Sequence, residues 1–158
     1  MAEDKTNVMR LLEQSKIPYT PRQYDVSDGQ LDGLTAAARL GVPPERCFKT
    51  LVTVGVSKRN YVFVVPVPKE LDLKAAARAV GEKSIEMIPQ ARLLPLTGYL
   101  HGGCSPVGMK KKLPTVIDAS AETLEQMTAS AGKIGRQVSL SPRDLADYIG
   151  AVFAAVSK

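Results

Sequence analysis

The chain has 158 residues, 44% apolar and 23% charged, the balance of a globular protein close to one domain in size, which excludes a disordered chain. Lys and Arg number 21 against 16 Asp and Glu, and the net +5 permits a polyanionic partner without demanding one. No apolar run reaches the roughly 18 residues of a membrane-spanning helix, the N-terminus is polar rather than the basic lead-in of a signal peptide, and two cysteines are too few for a disulfide framework. The expectation is a cytoplasmic chain, one domain over residues 1–158, with reduced thiols.

Val8, Leu11 and Leu12 share one face at helical spacing, with Asp4 or Thr6 as the cap and Ile17-Pro18 as the stop. Residues 19–25 contain Pro21 and read as a short edge strand, followed by a turn-rich loop over 27–33. A second, alanine-rich helix over 34–40 stops at Gly41, with Pro43-Pro44 preventing continuation. Residues 47–54 and 61–67 are rich in β-branched and aromatic residues around a hairpin-like 55–60, and so predict central antiparallel strands. Asp72 caps a helix closing at Gly81, and residues 84–88 return as a strand. Short strands are expected over 115–118, 127–130 and 137–140. Ser141-Pro142-Arg143-Asp144 then starts a last helix running to about Val156, with Leu145, Ile149, Val152 and Phe153 facing the sheet. The elements describe an α+β fold with an antiparallel or mixed sheet.

His101 and Cys104 invite a metal or nucleophile reading. However, His101 is the only histidine, four zinc ligands are not available, and two residues this close in a loop rarely meet the geometry of a nucleophile and its base. Gly102 and Gly103 allow either a plain tight turn or a backbone cradle for a carbonyl or phosphate oxygen. Lys49 interrupts the apolar run Phe48-Lys49-Thr50-Leu51-Val52; it either faces a cleft or snorkels to solvent from a strand end. Lys110-Lys111-Lys112, the one dense charge run, is either a solvated basic turn or an RNA-facing patch.

The succession Phe48-Lys49-Thr50-Leu51, Leu71-Asp72-Leu73-Lys74, Thr97 to Pro106, Leu113-Pro114-Thr115-Val116-Ile117-Asp118 and Ser130-Ala131-Gly132-Lys133 resembles the YbaK/EbsC family of aminoacyl-tRNA editing proteins, over about Val8 to Phe153. The resemblance implies a mixed, largely antiparallel and barrel-like sheet flanked by helices. It also implies a deacylase that removes a wrong amino acid from transfer RNA in trans, related to the inserted editing domain of bacterial prolyl-tRNA synthetases, with cysteine on tRNA(Pro) as the best-known substrate. Such a second sieve answers a physical need, since one methylene-sized difference discriminates only ~10–200-fold. By the same resemblance Lys49, Gly102 and Gly103 carry the catalysis, while Tyr24, Thr50, Ser105, Pro106, Ser130 and Gly132 hold the substrate. Gln137, where cysteine-specific members carry Asp, and Leu31-Asp32-Gly33, where they carry Phe, look more like the EbsC branch. The implied chemistry needs no cofactor and no metal: the substrate's own thiolate, or water, attacks the ester. The implied partners are mischarged tRNA and prolyl-tRNA synthetase, with neither DNA nor membrane. The rivals are a non-catalytic binder of aminoacyl-tRNA or a synthetase, and a cysteine hydrolase using Cys104.

Overall fold

The computed structural model describes residues 5–26, 29 and 32–158; Asp4, Leu31 and most of the loop expected over 27–33 lie outside the described residues. Thr6 caps α1 (Asn7–Gln14) by accepting the Met9 amide, and Val8, Met9 and Leu12 form its buried stripe. The strand β1 (Thr20–Gln23) carries Pro21 and pairs on one side only, with β7 (Arg136–Leu140), as a residue without an N–H donor requires. α2 (Gly33–Leu40) starts at Asp32, whose carboxylate accepts the Thr35 amide, and ends where Gly41 turns left-handed at φ 72°.

The expected hairpin is present as β2 (Phe48–Gly55) and β3 (Asn60–Pro66), antiparallel, with Lys49 opposite Val65 and Thr50 opposite Val64. α3 (Leu73–Val80), capped by Asp72, leads to β4 (Ile85–Met87) on the outer edge of β2. Then come α4 (Leu93–Thr97), β5 (Thr115–Asp118), β6 (Met127–Lys133), β7, α5 (Pro142–Ile149) and β8 (Val152–Ala154). The strands form a five-stranded sheet in the order β4-β2-β3-β5-β8 and a three-stranded sheet β1-β7-β6. β3–β5 and β5–β8 are parallel and the other pairs antiparallel, so the α+β fold with a mixed sheet is observed. The sheet does not close into a barrel. The two sheets meet at an isolated parallel bridge, Cys47 to Thr128.

The last helix is shorter than the sequence suggests. Gly150 takes a left-handed φ of 70° after Ile149, and the following residues turn outward to pair with the edge of β5 as β8. Val152, expected on the helix face, is exposed in a strand. The chain just past β8 is held by Asp118, whose buried carboxylate accepts the Val156 and Ser157 amides at 3.0 Å each and both Ser120 donors. Burial pushes the Asp118 carboxyl up, but these hydrogen bonds outweigh it and hold it below the usual value.

β3 is buried along almost its whole length because both of its faces are covered. Tyr61, Phe63 and Val65 pack under α3 with Ala76, Ala77 and Val156. Val62 and Val64 face the other way, into the main core with Phe48, Val52, Met127, Val138 and the α1 stripe. That core fills the space between the two sheets and fixes how they part.

Candidate active site

Cys47, just before β2, bridges Thr128 of β6, and β2 and β6 do not pair beyond it. In the gap sits a cavity of about 290 Å³. The five-stranded sheet supplies residues 48–51 of β2, flanked by Cys47 and Val67; the three-stranded sheet supplies Ser130 and Gln137, with Tyr24 just past the end of β1. The first turn of α2 closes one side through Asp32, Gly33 and Ala36. Gly33 lets α2 approach this closely, since a Cβ would lie 2.6 Å from Val67 Cγ1 and force that side chain to shift. Leu93 of α4 and the loop residues His101, Gly102 and Cys104 complete the lining.

Of the nine residues that the resemblance singles out, Tyr24, Lys49, Thr50, Gly102 and Ser130 line this cavity. Strand alternation sends Lys49 and Thr50 to opposite faces of β2, and both reach the cavity because it lies across the strand's unpaired edge. Lys49 is half-buried; burial pushes its ammonium pKa down, partly offset by the Glu70 carboxylate. The Thr50 hydroxyl oxygen is shielded from water and has no hydrogen-bond partner among the described residues. Ser130 accepts the Gly132 amide at 3.1 Å, across a β-bulge in the β6–β7 pairing.

The other four lie close behind. Gly103 donates its amide to the Leu100 carbonyl at 3.0 Å, closing the turn in which Gly102 takes a φ of 90°. It is buried against the β6–β7 turn, where a Cβ would meet the Ile134 amide nitrogen at 3.1 Å. Ser105 is fully buried, and its hydroxyl accepts the Val107 amide; with Pro106 it packs behind Ser130 against Val138 and Leu145. Gly132 lines a neighbouring groove, where its φ is 94° and a Cβ would lie 3.0 Å from the Tyr99 ring.

Cys104 does not have the character of a nucleophile. Burial pushes its thiol up to about 12, a hydrogen bond with Thr97 offsets this only partly, and His101 is exposed. Cys47, also at the wall, is pushed up to about 11 by burial. Among the described residues no group of three or more metal-ligating side chains comes together. The sequence reading does not anticipate Ala36, Val67 or Leu93 at the wall. Val67 follows from the hairpin register opposite Cys47, whereas Leu93 depends on α4, which no motif announces.

The pattern of the aminoacyl-tRNA editing domain matches residues 33–148, which span the cavity's β2, loop and β6–β7 walls. The chain belongs to the aminoacyl-tRNA editing family. Within it, a protein of Enterococcus faecalis (strain ATCC 700802 / V583), bearing the provisional name Cys-tRNA(Pro)/Cys-tRNA(Cys) deacylase EbsC, is 41% identical over 155 residues, 98% of this chain and 94% of that one. A solved structure described provisionally as a trans-editing enzyme for prolyl-tRNA synthetase superposes with a TM-score of 0.81 at 26% identity, covering 96% of this chain and 94% of the other. A hypothetical protein of known structure shares the fold at a TM-score of 0.87 and 24% identity, over 96% and 99% of the two chains. Membership in the editing family carries the reaction class: the chain is an aminoacyl-tRNA deacylase, cleaving the ester that joins amino acid to RNA. No helix among the described residues is long and apolar enough to cross a membrane.

Proposed function

We propose that this editing protein clears cysteine from tRNA(Pro) in trans, with prolyl-tRNA synthetase as the enzyme whose errors it corrects. The observation that carries the reading is the convergence of Lys49, Thr50, Gly102 and Ser130 on one small cavity with largely apolar walls. At about 290 Å³ it lies at the lower end of the ~300–1,000 Å³ typical of small-molecule sites, which suits a small amino acid on a terminal ribose. Among the described residues its lining holds one carboxylate, Asp32, which caps α2 by accepting the Thr35 amide and hydroxyl. The name borne by the Enterococcus relative supports the same substrate.

In this reading Lys49 anchors the anionic 3′ end and the Gly102 amide steadies the ester oxygen as negative charge develops, while Gly103 acts through its bond to Leu100 by holding Gly102 in place. The substrate's thiolate attacks its own carbonyl carbon; the C–S bond forms, the C–O bond to the ribose breaks, and the ribose oxygen takes up a proton as a thiolactone leaves. With the thiol absent, water takes its place as the nucleophile.

The test is a panel of Cys-, Ala- and Ser-charged tRNA(Pro) and Cys-tRNA(Cys) given to the purified protein. Cys-tRNA(Pro) should be cleared fastest. Tight binding with no ester cleaved would make the protein a binding module and overturn the reading. Lys49→Ala should lower kcat/KM at least tenfold with its melting temperature nearly unchanged, and Lys49→Arg should rescue only in part, because a planar guanidinium is aimed differently from an ammonium. Activity within about threefold of wild type, under ~0.7 kcal/mol of barrier, removes Lys49 from the mechanism.

A further inference from the structure

A second concavity, about 590 Å³, lies on the other side of the glycine loop. The same two segments wall both spaces. Within the loop, Gly102 and Cys104 face the cavity while Gly98, Tyr99 and Gly108 face the groove; on β6, Ser130 faces the cavity while Gly132 and Lys133 face the groove. Whatever projects from the cavity across this loop enters the groove.

The groove is built from α1, the stretch from α4 to Lys110, and the end of β6. Residues 5–12, 87–117 and 126–143, which contain all of its lining, include nine lysines and arginines and not one aspartate or glutamate. The modest net +5 is therefore unevenly spread. Lys110 and Lys133 stand exposed on the groove, with Lys111 and Lys112 exposed just beyond. The nearest acid on α1, Glu13, is paired with Lys5 at 2.9 Å and accepts the Tyr19 hydroxyl. Pro95 and the half-buried Tyr99 ring add flat apolar surface between the cations.

We propose that this groove seats the sugar–phosphate backbone of the tRNA acceptor arm, with Lys110 and Lys133 on its phosphates, while the aminoacylated terminus crosses the glycine loop into the cavity. The proposal rests on the deacylase reading above and assigns the surface that reading leaves open. Two exposed cations on a wall that carries no acid among the described residues match a polyanion, and lysine is a point-charge phosphate binder that needs no exact bidentate geometry.

The experiment compares wild type with Lys110→Ala/Lys133→Ala on full-length Cys-tRNA(Pro) and on 3′-cysteinyl-adenosine, together with binding of uncharged tRNA across a salt series. Lys69→Ala/Lys74→Ala, elsewhere on the surface, is the charge-matched control. The groove variant should raise KM for the tRNA about tenfold with kcat kept, leave the adenosine ester unaffected, and make the slope of log Kd against log salt shallower by roughly 1.5, the effect of two lost phosphate contacts. An unchanged slope and KM, or an equal loss in the control, overturns the proposal, as does an equal loss on the adenosine ester. Weakened binding of prolyl-tRNA synthetase with RNA binding intact would make the groove a protein interface and likewise overturn it. Salt-dependent tRNA binding through these lysines by a protein that cleaves no ester would sink the deacylase reading and leave the RNA groove standing.

Discussion

Thr50→Val should make the protein more stable and less active. The Thr50 hydroxyl oxygen is buried without a hydrogen-bond partner among the described residues, and leaving such a group unsatisfied costs about 1–3 kcal/mol. Valine has nearly the same shape, favours a strand, and sits opposite Val64 in register, so it removes that penalty without opening a cavity. Taking about 1 kcal/mol at the low end, the melting temperature should rise by roughly 2–4 °C for a chain of this size. The same hydroxyl lies at the cavity wall, where the substrate is the available partner. If it bonds the transition state with ~1–3 kcal/mol, its loss lowers kcat/KM by about 5–150-fold. A thermal melt and a Cys-tRNA(Pro) deacylation assay on the same preparation measure both halves. A destabilised variant with full activity would refute the reasoning, because it would mean that the hydroxyl serves the fold and not the substrate.

Two other outcomes follow from the fold and the site. Cys104→Ala should keep deacylation within about threefold, since a thiol pushed up to about 12 is not a thiolate at neutral pH; a hundredfold loss in a steady-state assay would restore the cysteine hydrolase. Asp118→Ala should lower stability in urea by about 3–5 kcal/mol by stranding the Val156 and Ser157 amides. Because the folded carboxyl is held below its unfolded value, its contribution is complete above the unfolded pKa of ~4 and is lost as pH falls through the lower folded value. The wild type's stability should therefore decline on that acidic side more steeply than the variant's in parallel urea titrations.

Much of the fold is legible because local chemistry and tertiary context agree. Thr6, Asp72 and Ser141 each accept the amide that a cap should, and Gly41 and Gly81 end their helices in the left-handed region. Pro21 marks an edge strand. The sequence misleads where two local signals compete. Leu145, Ile149, Val152 and Phe153 keep helical spacing, but Gly150 breaks the helix, and the free edge of β5 with the Asp118 carboxylate draws the following residues into β8. α4 is hidden because Pro95 sits inside it and no side chain caps its N-terminus. Within the site, Lys49 and Thr50 are conspicuous as polar residues in an apolar strand. Their convergence with Ser130 depends on two sheets meeting at one bridge, which no spacing along the chain encodes.

That junction has a bearing on how substrate choice can drift. The cavity's opposing walls belong to different sheets, so its width is an angle between two bodies as much as a matter of the side chains exposed in it. Val52, Met127 and Val138 wedge the sheets apart from within the core. Adding or removing a methyl group on that wedge would open or narrow the mouth while every residue that touches the amino acid stayed the same. Relatives with identical cavity linings can therefore sort amino acids differently, and exchanging wedge residues between them is a route to retuning the sieve from behind.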